Sequence, residues 1–158
     1  MAASSFIYNI AKAGLNMAGG ASGLCYWSST TASFYATFVS NNYVPAETHI
    51  YASAFSGAEL SSASFTAGFN GTMRISLTSR VLNVNQTSNQ AEFQAGTMTW
   101  SGLSAGTAHA MIILHQAGAD ASSILVAYNS TGGFPIVTNG TNLTISFTSA
   151  GVFDFVDF

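Results

Sequence analysis

Charge is the first thing this chain lacks. Three Lys or Arg and six Asp or Glu make up 6% of its 158 residues, where a globular domain ordinarily carries about 25%. Lys12, Arg74 and Arg80 are the only cations and the net charge is −3. No basic patch can neutralise phosphates, so nucleic acid is not an expected partner. There is one cysteine, Cys25, which permits neither an intramolecular disulfide nor a cysteine-based zinc site. With no cation beside it to activate the thiol, Cys25 reads as a small buried apolar residue.

Long apolar runs are missing too. They reach about five residues, far below the roughly 20 needed to cross a bilayer as a helix. The N-terminus, MAASSFIYNIAKAGLNMAGG, has neither a basic leader nor a continuous apolar core. Neither a secretory signal nor a membrane partner is therefore expected.

Catalytic motifs are absent as well. The sequence holds no Gly-x-Ser-x-Gly elbow, no phosphate loop and no His-Glu-x-x-His. His109 and His115 share one face of an expected strand, but six residues at about 3.3 Å each separate them by roughly 20 Å, too far to share an ion. His49 lies in an irregular stretch with Glu47 and Glu59 as possible partners, and is read as structural. Asp154 and Asp157 would fall on opposite faces of a strand, so they form no acid and base pair. No catalytic, cofactor-binding or metal-ligating residue is assigned, no cofactor is called for, and no enzyme is expected.

What the chain does have is 38 Ser or Thr set among 48% hydrophobic residues, with twelve Phe and six Tyr. A chain of this length buries about two thirds of its unfolded surface, so one packed domain over 1–158 is expected rather than disorder. Five Asn-x-Ser/Thr sequons begin at Asn70, Asn85, Asn129, Asn139 and Asn142. In so hydroxyl-rich a chain they read as turn chemistry rather than glycosylation sites.

Periodicity divides the chain. Ser4 or Ser5 can cap a helix whose apolar face holds Phe6, Ile7, Ile10, Ala11 and Met17 and which Gly19-Gly20 ends, giving an N-terminal helical segment over 1–20. From 22 onward the period becomes 2, with strands expected near 22–28, 34–40, 72–78, 91–100, 108–115, 123–128, 142–148 and 152–157. About eight short strands after one short helix predict an all-β fold, an antiparallel, jelly-roll-like β-sandwich over 22–158. Asn70-Gly71 and Asn139-Gly140 are expected at tight hairpin turns. AHAMIILH and SILVAY read as buried on both faces, hence central. The 26 residues from Tyr43 to Gly68 have no period, and long irregular connections tend to be functional.

Two features point to a surface used for contact. Tyr26, Trp27, Tyr35, Tyr43 and Tyr51 cluster in the first third and cannot all enter one core; Trp27, Tyr43 and Tyr51 are the interface candidates among them. In NLTISFT, Leu143, Ile145 and Phe147 alternate with Asn142, Thr144, Ser146 and Thr148. The apolar row is expected to face the core, with Phe147→Ala costing about 3 to 5 kcal/mol. Thr144 and Ser146 then present hydroxyls where a soluble strand usually shows charge.

The order of segments resembles small structural proteins of tailed bacteriophages. The resemblance rests on Tyr43-x-Pro45, Thr48-His49, Glu59 and Phe65-Thr66-Ala67-Gly68, then on NQAEFQAGTMTWSG, AMIIL, SSILVAY and NLTISFTSAGVFDF. It covers most of the chain outside roughly 16–33. Phe69 stands where a second Gly is usual, and Ser, Thr and Asn replace most acidic surface positions. The resemblance implies a capsid decoration or cement protein, made in the host cytoplasm and carried on the virion surface. Its implied partners are the major capsid protein and further copies of itself in a small symmetric oligomer such as a trimer. A carbohydrate- or receptor-binding β-sandwich and a tail or neck protein are the alternatives.

Overall fold

A computed structural model describes residues 4–16, 33–60, 74–85, 90–103, 105–147 and 153–156. The expected strand at 22–28, with Cys25, Tyr26 and Trp27, lies outside them. So do the Gly19-Gly20 helix end, the Asn70-Gly71 turn and Asp157.

The N-terminal segment departs from its expected all-helical form. Strand β1 (Ser5–Ile7) precedes helix α1 (Asn9–Asn16). Ser4 and Ser5 therefore cap nothing: Ser5 pairs with Asn129, and the Ser4 amide donates to Ser130 Oγ at 2.8 Å. The helix opens at Tyr8, whose carbonyl accepts from the Ala11 and Lys12 amides. Local pattern favoured a helix over 4–7, but a ladder to a distant strand satisfies the same backbone and overrides that preference.

Strands β2 (Phe34–Val39), β3 (Ile75–Ser76), β8 (Ala110–His115) and β9 (Ile124–Asn129) join β1 in an antiparallel sheet of order β1-β9-β8-β2-β3. The other strands are β4 (Val81–Asn85), β5 (Gln90–Gln94), β6 (Met98–Trp100), β7 (Gly106–Ala108), β10 (Ile136–Thr138), β11 (Leu143–Ile145) and β12 (Phe153–Val156). They form three ladders, β10-β7, β11-β6 and β12-β5-β4, which among the described residues stay separate rather than merging into a second sheet. The fold is all-β. It has twelve described strands, because two of the seven expected strands that fall among the described residues are each broken in two, and β1, β4 and β10 add to them. One break lies at Gly96, whose amide turns to Thr78, and the other at His109, whose amide turns to Val39.

Alternation along the central strands distributes the core. Phe34, Ala36 and Phe38 of β2 and Met111 and Ile113 of β8 cluster with Phe93, Met98 and Trp100 from the small ladders and with Leu103 from the loop after β6. On the other side, Ala110, Ile112 and Leu114 of β8 and Leu125 of β9 meet Tyr8, Tyr43, Ala52, Phe55 and Ala58. Both faces of the five-stranded sheet are thus covered, which is why β8 and β9 read as nearly continuous apolar runs. The irregular stretch after Tyr43 is the cover of the second face, held by a short 3-10 turn (Ala52–Ala54) and the Ala52 amide bonded to Ser123 O.

The Asn139-Gly140 pair makes a turn of another kind than expected. Gly140 has φ +93° and Asn139 Oδ1 accepts from the Thr141 amide and hydroxyl, a side-chain turn mimic. The flanking strands do not pair with each other. The turn carries the chain from the β10-β7 ladder to the β11-β6 ladder.

Candidate functional site

Of the five interface candidates, Thr144 and Ser146 are the two that the structure brings together. Both are exposed on β11, and each pairs across the ladder to β6: Thr99 Oγ1 to Thr144 Oγ1, and Thr97 Oγ1 to Ser146 Oγ, both at 3.1 Å. The result is a solvent-facing double row of hydroxyls with no charge in it. Leu143, Ile145 and Phe147 point the other way and pack partly buried against the core. Phe147 is only half-buried, so the cost expected for Phe147→Ala falls to about 1 to 2 kcal/mol, roughly half of a fully buried ring.

Tyr43 is a correction. At 3% exposure it belongs to the core, and its hydroxyl lies 2.9 Å from both Tyr8 OH and His49 Nδ1. It is buried because the segment carrying it folds back over the sheet, a tertiary contact that composition cannot show. Tyr51 is 44% exposed, close in sequence to the exposed Val44 and Ile50. It sits on the cover of the opposite sheet face, away from the hydroxyl rows. Trp27 lies outside the described residues.

His49 takes neither partner expected of it. Glu47 bonds Lys12 Nζ at 2.9 Å on the surface, and Glu59 is claimed by Arg74. Burial, and then the bond to Tyr43, push the Tyr8 phenol far above its ordinary value, and burial likewise raises Tyr43. A phenol whose folded pKa is raised adds stability that is complete below about pH 10 and is lost as pH climbs beyond it. An alkaline titration followed by phenolate absorbance should therefore show Tyr8 silent until the fold melts and Tyr43 ionising above the ordinary tyrosine value. All six tyrosines ionising near pH 10 with circular dichroism unchanged would contradict this.

Sequence reasoning missed a buried polar hub. Arg74 is 2% exposed and places Nε and Nη2 each 2.7 Å from the two Glu59 carboxylate oxygens. Its Nη1 reaches Gln116 Oε1 at 2.6 Å and Asp120 Oδ1 at 2.7 Å. Thr37 Oγ1 donates to Glu59, and the Phe55 ring lies 5.7 Å from the guanidinium carbon. Burial works against the charged guanidinium, but the bonds from Glu59 and Asp120 outweigh it and hold its pKa above the ordinary arginine value. The one available signal was scarcity: with three cations in the chain, a cation between apolar strands needs a partner. With its donors engaged, Arg74 acts as a clamp joining β2, the 51–60 cover and the 116–123 turn, rather than as a reactive group.

At the C-terminal end of β8, next to Gln116, His115 has its ring 5.1 Å from Phe34, and burial and then the Arg80 charge lower its pKa. Among the described residues, no three His, Cys, Asp or Glu are grouped to hold a metal ion, and no helix is long and apolar enough to cross a membrane. No family model, curated protein or solved structure matches the chain. What the site presents, then, must be read from its own chemistry. A groove of about 390 Å³ opens beside the hydroxyl ladder, lined by Leu143 through Phe147 and by residues of β8, β10 and the turn between β9 and β10.

Proposed function

We propose that this chain is a non-enzymatic structural protein of a bacteriophage particle, a decoration or cement protein that binds the outside of the capsid lattice and stabilises the head. The observation that carries the reading is the uncharged double row Thr97, Thr99, Thr144 and Ser146, exposed and paired across β6 and β11. Such a face adds little repulsion when copies crowd together, and it exchanges water for hydrogen bonds with a neighbouring subunit at small net cost. The resemblance in segment order supports the same reading. The carbohydrate-binding alternative retains Tyr51 as its one exposed aromatic candidate among the described residues, since Tyr43 is buried.

Mass spectrometry of purified virions should find the chain at a copy number equal to that of the capsid protein or a simple fraction of it. A few copies per particle would move it to the tail or neck, and none would end the reading. Thr144→Ala and Ser146→Ala should each change the stability of the free protein by no more than about 0.5 kcal/mol, yet weaken retention on particles after a dilution wash. Equal loss of both properties would mean that the hydroxyl row serves the fold and not a neighbour.

A further inference from the structure

The groove beside β11 supports an inference that does not depend on the particle reading. Five consecutive residues, Leu143 to Phe147, line it. A cavity over one face of a strand meets every second side chain, whereas one lined by each residue in turn runs along the strand's backbone edge. The opposite edge of β11 is taken by β6, in the register Leu143↔Trp100 to Ile145↔Met98. Among the described residues no other strand pairs with it. Every second residue of β11 therefore turns its N–H and C=O toward the groove.

Proteins usually block such an edge with Lys, Pro or a bulge. The stretch from Asn142 to Phe147 contains no Lys and no Pro, and its pairing with β6 is regular. The groove lining includes no charged residue: Met111, Phe134 and Ile136 supply apolar surface, and Asn129 and Thr131 supply polar groups. A charged occupant would lose water without gaining a counter-charge, and a helix would leave the open edge without hydrogen-bond partners.

We propose that this open edge receives an extended, uncharged segment of a neighbouring chain, added as a third strand beside β11. Its apolar side chains face Met111 and Phe134. Its alternate hydroxyl or amide side chains extend the Thr99–Thr144 and Thr97–Ser146 rows.

The probe is an acetylated and amidated peptide, Ser-Val-Thr-Val-Thr-Val-Ser, with a counterpart in which Lys and Glu replace the hydroxyl residues. Hydrogen exchange on the full chain should show the groove-facing amides among Leu143 to Phe147, every second one, slowed about tenfold by the uncharged peptide, as a net hydrogen bond allows. Thr144→Lys, at an exposed position, should abolish the protection, and Ser146→Lys serves in its place if the first variant fails to fold. Ser76→Lys, on the edge strand β3, should leave it intact. Absence of protection, or equal protection by the charged peptide, would overturn the proposal. So would protection that grows with protein concentration in the absence of peptide, which would identify a second copy as the occupant. Protection by the peptide in a protein missing from virions would sustain the groove and end the particle reading. A virion-bound protein whose Leu143 to Phe147 amides still exchange freely, and that takes no peptide, would do the reverse.

Discussion

Arg74→Met should cost about 3 to 5 kcal/mol in urea denaturation, a large part of the 5 to 15 kcal/mol that holds a typical domain together. The loss comes from what remains. Glu59, whose side chain is 4% exposed, would keep a buried carboxylate with Thr37 as its one remaining side-chain donor among the described residues, and Gln116 Oε1 would lose its guanidinium partner. Adding Glu59→Leu removes the stranded charge and replaces it with apolar volume, so the double variant should be more stable than Arg74→Met alone. Asp120 tolerates the change because its side chain is 34% exposed and can turn to water. Additive losses in the cycle would mean that the hub is a set of independent contacts rather than a coupled clamp.

The second large effect is expected at Trp100→Ala, again about 3 to 5 kcal/mol. Trp100 is fully buried and its ring lies 4.5 Å from that of Phe38. It comes from a three-residue strand and fills the space against the five-stranded sheet, so truncation leaves a cavity that flanking strands cannot close without breaking the Leu143↔Trp100 register. Phe147→Ala, measured beside it, should cost about 1 to 2 kcal/mol because that ring already borders the groove. If Phe147→Ala proved as costly as Trp100→Ala, the groove would be closed in solution and the strand-addition proposal would lose its site.

Local pattern carried the reading of the sequence a definite distance. The all-β class, the alternation that turns Leu143 and Ile145 inward and Thr144 outward, and the double burial of β8 and β9 were all legible, because each depends on which side of a pleat a residue occupies. That is a property of neighbours one and two positions away.

Other features depend on which segments meet. The ladder of β1 with β9 joins residues more than a hundred positions apart, Ser5 with Asn129, and it turned a helical pattern into a strand. Burial of Tyr43 followed from the fold-back of the segment after it onto the sheet, and exposure of Tyr51 followed from its place on that cover. The Arg74 hub draws Glu59 from 15 positions away, Gln116 from 42 and Asp120 from 46, so no spacing rule could have named it. Alternation within strands such as β11, and the uncharged chemistry of its outer face, were written in the order of residues alone. The strand pairing, the buried charge cluster and the β11 edge that no other strand occupies among the described residues came from the tertiary fold, because they belong to contacts whose entropy of closure is met by the whole core and not by any local segment.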